Sequence, residues 1–174
     1  ALLRVGSREQ LDAFVQALQA VIERHDILRT SVMWEDLGEP VQVVWRQARL
    51  RVEELALNAA DGDIAEQLRV RFDPRHTRFD LRQAPMMRIH VAEDLANGSW
   101  VAVLLFHHLI DDATSLGMLG KEIEAHLENR AGELPRSVPY RNYVAQVRLG
   151  SDPGQHEALS LIHISEPTRL QLIS

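Results

Sequence analysis

Leu105-Phe106-His107-His108-Leu109-Ile110-Asp111-Asp112-Ala113-Thr114-Ser115 is the stretch that decides how this chain is read, because it sets two histidines and two carboxylates at the end of the most apolar run in the sequence. That run, Trp100 to Phe106, reads as a strand. Side chains alternate along a strand, so Trp100, Ala102, Leu104, Phe106 and His108 fall on one face and Val101, Val103, Leu105 and His107 on the other. Both faces are apolar, which predicts a central strand covered on two sides, and the alternation sends the two imidazoles opposite ways. Helix signals resume at Thr114 and Ser115, so the histidines stand where a buried strand turns out of its sheet, a favoured position for a site.

Working outward, Met87, Ile89 and Val91 alternate with Arg88 and His90 as a second strand, and Asn97-Gly98 is a hairpin-turn signal that makes it the antiparallel partner of the first. Asp61 to Phe72 reads as a helix, with Ile64, Leu68 and Phe72 at four-residue steps and Asp61 or Asp63 as N-cap. Arg49 to Ala60 stays ambiguous: Leu50, Val52 and Leu55 fit the end of a strand or the start of a loop. Leu28, Thr30, Val32 and Trp34 alternate with Arg29, Ser31 and Met33 as a strand, which turns at Glu35 to Pro40 and returns over Val41 to Arg46. Ser7 and Gln10 form a capping-box pattern ahead of Leu11, Phe14, Val15, Leu18, Val21 and Ile22, predicting an amphipathic helix to about His25. Ala1 to Val5 reads as a strand entering a domain already under way. Downstream, Leu116, Leu119, Ile123 and Leu127 predict a helix from about Thr114 to Asn129, ended by Gly132 and Pro135, and a last short helix runs from Tyr140 to Leu149.

His107-His108-x-x-x-Asp112-Ala113 resembles the His-His-x-x-x-Asp-Gly motif of the condensation domains of nonribosomal peptide synthetases, with Ala113 standing where the common motif has Gly. Three further segments match that family in the same order. Arg24-His25-Asp26-Ile27-Leu28-Arg29-Thr30 resembles its Arg-His-Glu-x-Leu-Arg-Thr segment, and Phe79-Asp80-Leu81 with Pro85-Met86-Met87-Arg88 resembles its Phe-Asp-Leu-x-x-x-Pro-Leu-x-Arg segment. Pro139-Tyr140-Arg141-Asn142-Tyr143 is similar to its Tyr-x-Asp-Tyr element. The resemblance implies an α/β fold: the N-terminal lobe of a chloramphenicol acetyltransferase-like two-lobed architecture, with a mixed sheet and flanking helices.

For function, the resemblance implies an amide-forming acyltransferase that joins a carrier-bound donor thioester to the amine of a carrier-bound acceptor. His108 is implied to be the catalytic group, as a base or as a hydrogen-bonding group that positions the amine; alternation alone separates the two imidazoles without saying which is catalytic. His107, Asp112, Ala113 and Arg29 are implied to be structural at the active site, with Asp112 ion-paired to an arginine: Arg29, expected on the strand adjacent to the histidine strand, is the first candidate, and an arginine from the second half of the fold is the runner-up. No cofactor is expected to bind directly; the phosphopantetheine arms of partner carrier domains tether the substrates. The implied partners are upstream and downstream peptidyl carrier domains and an adenylation domain of the same synthetase. With only the first of two lobes expected within residues 1–158, the chain by itself is expected to aggregate or pack loosely and to lack condensing activity.

Other readings remain beside this one. Heterocyclising members of the family carry aspartate at the first histidine, so His107 argues against that branch, whereas epimerising members keep both histidines. A non-catalytic docking module of the same fold is a different class, toward which Ala113 leans. A free-standing coenzyme A acyltransferase is disfavoured by the Arg24 to Thr30 segment. A metal site built from His107, His108, Asp111 and Asp112 conflicts with the divergence of adjacent strand residues, and no His-Glu-x-x-His spacing occurs; Asp111 reads as solvated.

Composition narrows the class without naming it. The 174 residues are 45% apolar, enough for one core, and the net charge of -6 with scattered basic residues gives no nucleic-acid footprint. Cysteine is absent, and neither a signal peptide nor an apolar run of membrane-spanning length occurs, so the expected location is cytoplasmic, away from membranes. Leu159 to Arg169 resembles the conceptual translation of a transposase-type sequencing adapter. Residues 1–158 are therefore read as a partial condensation domain and 159–174 as read-through that is not native.

Overall fold

The strand that the sequence marks as central is flanked on both edges. In a computed structural model that describes residues 1–110 and 113–150, β6 (Ser99–Phe106) lies between β1 (Leu2–Val5) and β5 (Met87–Asp94), antiparallel to each. β4 (Arg51–Glu54) adds to the far edge of β5 in parallel, giving a mixed sheet of order β1-β6-β5-β4. Asp111, Asp112 and residues 151–174 lie outside the described residues, and with them the aspartate assignments and the reading of 159–174. The chain divides into two units, Ala1–Ser137 and Val138–Ser174.

Alternation along β6 has the consequence expected of it. Val101, Val103 and Leu105 are buried with Ile64 and Leu68 of α2 (Ile64–Arg71), while Ala102 is buried with Leu11 of α1 (Arg8–Arg24) and with Ile89 and Val91 of β5. At the end of that second face, Leu104 and Phe106 pack against Leu18, Val21 and Ile22 of α1 and Leu119 of α3 (Ala113–Leu127). Each fully buried Val, Leu or Ile side chain contributes about 1.5–3 kcal/mol, so both helical layers are required to hold one strand.

Helix ends follow local chemistry. Ser7 caps α1, its hydroxyl accepting the Gln10 amide at 3.2 Å, but Gln10 Oε1 reaches back to the amide of Gly6 (2.9 Å) rather than to that of Ser7, so the expected box closes one residue early. Asp63, not Asp61, caps α2, accepting the Glu66 amide at 2.9 Å. α3 ends before Gly132: Asn129 adopts the left-handed conformation (φ 57°), and the amides of Asn129 and Arg130 bond to the carbonyls of His126 (3.2 Å) and Ala125 (2.7 Å), the paired pattern that terminates a helix.

Two expectations are corrected. Leu28 and Arg29 are not in a strand; they close a 3-10 turn over Asp26–Arg29, after which β2 (Thr30–Met33) pairs with β3 (Val41–Val44) as a separate two-stranded sheet. Arg29 is therefore not on a strand adjacent to β6. The β5–β6 turn is four residues wide, because Asp94 and Ser99 still pair and only Gly98 takes a positive φ (56°). Arg49 to Ala60, left open by its pattern, contains β4. In the second unit, α4 (Tyr140–Gly150) stacks Tyr140 on Tyr143 with ring centroids 5.7 Å apart.

His90 is 4% exposed and stacks on Phe72 with centroids 3.6 Å apart. Register sets Glu53 beside it, Oε2 lying 3.0 Å from Nδ1, yet neither ring nitrogen has an aligned hydrogen-bond partner among the described residues. Burial pushes the His90 pKa below the ordinary histidine value; Glu53 opposes the shift, and Arg88 and Arg71 add to it. The unfolded chain then takes up the proton at higher pH than the folded one. Stability is accordingly complete above the ordinary value of about 6.5 and declines as pH falls through it. Urea midpoints of the complete condensation domain should drop between about pH 7.5 and about pH 5.5, and His90→Phe should flatten that drop; an unchanged slope in His90→Phe would show that another group is responsible.

Candidate functional site

The end of β6 is shaped by its neighbours. The His107 amide donates to the Met86 carbonyl at 3.0 Å, one step past the last strand pair, and the Ile110 amide then bonds to the His107 carbonyl at 3.1 Å, closing a turn. The His107 ring takes part in that turn: Nδ1 accepts the Leu109 amide at 3.2 Å, which leaves the proton of a neutral ring on Nε2. Its ring packs edge-to-face with Phe79, centroids 6.2 Å apart, and Phe79 packs with Leu105 on the α2 side of the sheet. His108 instead lies against Phe106, centroids 6.0 Å apart, on the α1 and α3 side. The predicted divergence of the two rings is present in these contacts, although both line one cleft.

That cleft has a volume of about 560 Å³ and is lined by Leu104, Leu105 and Phe106 of β6, by Pro74, Thr77, Arg78, Phe79 and Leu81 of the segment before β5, and by Ala1. His108 is exposed at its edge, and among the described residues neither of its ring nitrogens is engaged. His107 is half-buried and tied to the turn. An exposed imidazole beside an apolar wall can accept or donate a proton at the edge of a bound acyl chain; one already accepting a backbone amide at Nδ1 is less free to do so.

The motifs flanking the site act as scaffold. The Leu81 carbonyl accepts the Val32 amide at 2.8 Å, fixing the Phe79-Asp80-Leu81 wall to β2, while Arg88 lies 4.4 Å over the Phe79 ring and donates to the Arg78 carbonyl at 3.0 Å. Asp80 binds Arg82 at 2.9 Å, a contact that holds its carboxyl down at a pKa of about 2. At the end of α1, His25 Nε2 lies 2.8 Å from Glu122 of α3, and Arg24 donates to the Pro135 carbonyl while its Nε sits 3.1 Å from the same Glu122 oxygen. The Arg24-His25 pair thereby fastens α3, the helix that begins directly after the histidine turn.

Of the predicted site residues, the structure brings His107 and His108 together at the cleft. Ala113 is the first residue of α3, and Asp111 and Asp112 lie outside the described residues. Arg29 donates to the carbonyls of Trp45 and, at 3.3 Å, Arg46; its Nε is buried with no partner among the described residues. Thr77 and Arg78 were not anticipated, since nothing in their spacing marks them, whereas Phe79 belonged to a motif already singled out. Among the described residues no group of three or more His, Asp or Glu side chains is placed to hold a metal ion, and no helix is long and apolar enough to cross a membrane.

The family model described as Condensation domain matches residues 1–158. The chain is 45% identical over 155 residues to malpinin synthetase from Mortierella alpina, covering 89% of this chain and 2% of that protein. It is 32% identical over 142 residues to bacitracin synthase 2 from Bacillus licheniformis, covering 81% of this chain and 5% of that one. The chain thus spans about 2–5% of the length of these synthetases. Among solved structures, a cyclization-docking bidomain from Sorangium cellulosum superposes with a TM-score of 0.70 at 19% identity, over 92% of this chain and 32% of that one. The epimerization domain from the third module of tyrocidine synthetase B superposes with a TM-score of 0.69 at 18% identity, over 99% of this chain and 41% of that one. The layered sheet ending in His107-His108 is accordingly part of a chloramphenicol acetyltransferase-like fold, and the chain belongs to the condensation domain family of nonribosomal peptide synthetases.

Proposed function

We propose that the domain carrying this sequence forms an amide bond between a donor acyl group held as a thioester on one carrier and the amine of an aminoacyl group held on a second. The amine nitrogen attacks the thioester carbonyl, the C–S bond breaks, and the amine's surplus proton ends on the departing thiol. An amine attacks a thioester readily, so the protein's contribution is alignment of two tethered groups and care of that proton. The observation that carries this reading is the unequal state of the two imidazoles: His107 Nδ1 is committed to the Leu109 amide, while His108 stands exposed at the cleft edge with both ring nitrogens unengaged among the described residues.

His108 is then the group that meets the amine, as base or as positioning hydrogen-bond partner. His107, Asp112, Ala113 and Arg29 serve as supports, with Arg29 the first candidate for the arginine that pairs with Asp112; its Nε is buried with no partner among the described residues. Upstream and downstream peptidyl carrier domains deliver the substrates on phosphopantetheine arms, and an adenylation domain loads them; family membership and the large synthetases that the chain matches support these partners.

In the complete synthetase, supplied with aminoacylated donor and acceptor carriers, His108→Ala should lower dipeptide formation by about 100-fold or more, the scale of a lost general acid–base group. His107→Asn, whose side-chain oxygen can still accept the amide two residues on, should fold and retain most of the rate. Wild-type condensation by soluble His108→Ala protein would remove His108 from the chemistry, and no product from the intact synthetase would favour a docking module.

The 174-residue chain alone should yield no dipeptide in the same assay. A single lobe aligns one substrate at most, and the alignment of two is what the reaction needs. Product above a no-enzyme control, lost on His108→Ala, would show that this lobe suffices.

A further inference from the structure

The segment from α2 to β5 carries six arginines, and five of them are already occupied. Arg69 is bonded to Glu66 at 2.8 Å, Arg75 to Asp73 at 2.6 Å, and Arg82 to both Asp80 and Glu35 at 2.9 Å. Arg71 and Arg88 lie over the rings of Phe72 (5.8 Å) and Phe79 (4.4 Å). Arg78 differs: the residue lines the histidine cleft, and among the described residues its guanidinium makes a single long bond of 3.3 Å, to the Arg75 carbonyl. No carboxylate is among the described residues that line this cleft. Its backbone is nevertheless held, because the Arg78 carbonyl accepts Arg88 and the next residue, Phe79, is clasped between Arg88 and His107.

We propose that Arg78 is a specificity-determining residue that binds an oxyanion carried on the thioester substrate, resting on the reading of this cleft as the substrate site. A guanidinium offers a fixed fork of donors that matches phosphate or carboxylate in paired hydrogen bonds, and one set beside an apolar wall is less screened than one in open solvent. The oxyanion has two possible sources with the same chemistry: the phosphate of the phosphopantetheine arm, or a carboxylate on the acyl chain.

Calorimetric titration of the complete condensation domain, with no acceptor amine present, separates them. Three probes are compared: an acetyl thioester of pantetheine, which is neutral; an acetyl thioester of 4′-phosphopantetheine; and a glutaryl thioester of pantetheine, which ends in a carboxylate. At least one charged probe should bind about tenfold or more tightly than the neutral one, a charge-assisted margin, and Arg78→Gln should erase that preference with unchanged thermal stability. Arg78→Lys, which keeps the charge and loses the fork, should retain part of it. A preference for the phosphate probe alone assigns the arm, and one for the glutaryl probe alone assigns the acyl chain. Equal binding of all three by the wild-type domain, or a preference that survives in Arg78→Gln, overturns the proposal. Because no turnover is read, His108→Ala should leave these affinities in place, so failure of the His108 assignment would show in the condensation assay and not here.

Discussion

Burying Val101, Val103 and Leu105 on one side of β6 and Ala102 on the other requires two separate helical layers, and most of the fold can be traced to that demand. α2 reaches its side through the crossover from β4 to β5, and those two strands are parallel because the chain passes over a face of the sheet between them. α1 and α3 supply the other layer and pack on one another through Leu18, Val21, Ile22 and Leu119. The histidine turn sits where both layers stop, so one ring faces the edge of each: His107 beside Phe79, His108 beside Phe106.

The family motifs divide their work along the same lines. Arg24 and His25 do nothing at the cleft; they hold Glu122 of α3 and, through Arg24, the Pro135 carbonyl. Phe79 and Leu81 line the cleft, and the Pro85 to Arg88 segment gives the turn its anchor, the Met86 carbonyl. Most residues of these motifs thus fix where two elements cross rather than lining the cleft. Local hydrogen bonding at His107 follows the same logic: an acceptor atom two bonds beyond Cβ closes the turn onto the Leu109 amide, a bond that a short carboxylate or amide side chain can also make.

How much of this was legible depended on whether a residue's role left a periodic trace. β5, α1 and α2 were readable because burial of a face writes period 2 or 3.6 into the sequence, and β6 because burial of both faces writes a continuous apolar run. β4 was not, since Arg51, Val52, Glu53 and Glu54 are all exposed and the strand's backbone is placed by its ladder to β5. Leu28 misled for a related reason: it is buried, 1% exposed, but from a 3-10 turn, and one buried residue cannot distinguish a turn from a strand. At the cleft the histidines and Phe79 were marked by motif, whereas Arg78 and Thr77 enter through the path of a loop whose course no local pattern encodes.

Register is the remaining question, because β6 is apolar on both faces and a one-residue slip would exchange His107 and His108 without exposing a single charge from the strand. Hydrophobic pattern cannot forbid that slip; polar groups at the two ends of the hairpin can. At the closed end, Asp94 is buried and its carboxylate accepts the Asn97 side chain at 2.8 Å, the Asn97 amide at 3.3 Å and Arg4 from β1, whose guanidinium also reaches Ser99 at 3.2 Å. Asn97 and Arg4 hold the Asp94 carboxyl below the usual range, so the group is charged and depends on those donors. Sliding β6 by one residue would carry Ser99 and Asn97 out of reach and leave a buried carboxylate short of partners, a far larger loss than repacking Leu for Val. At the open end the same slip would break the bond from His107 to Met86. The identity of the histidine that faces the α1 side is thus fixed by a polar cluster at the opposite end of its strand.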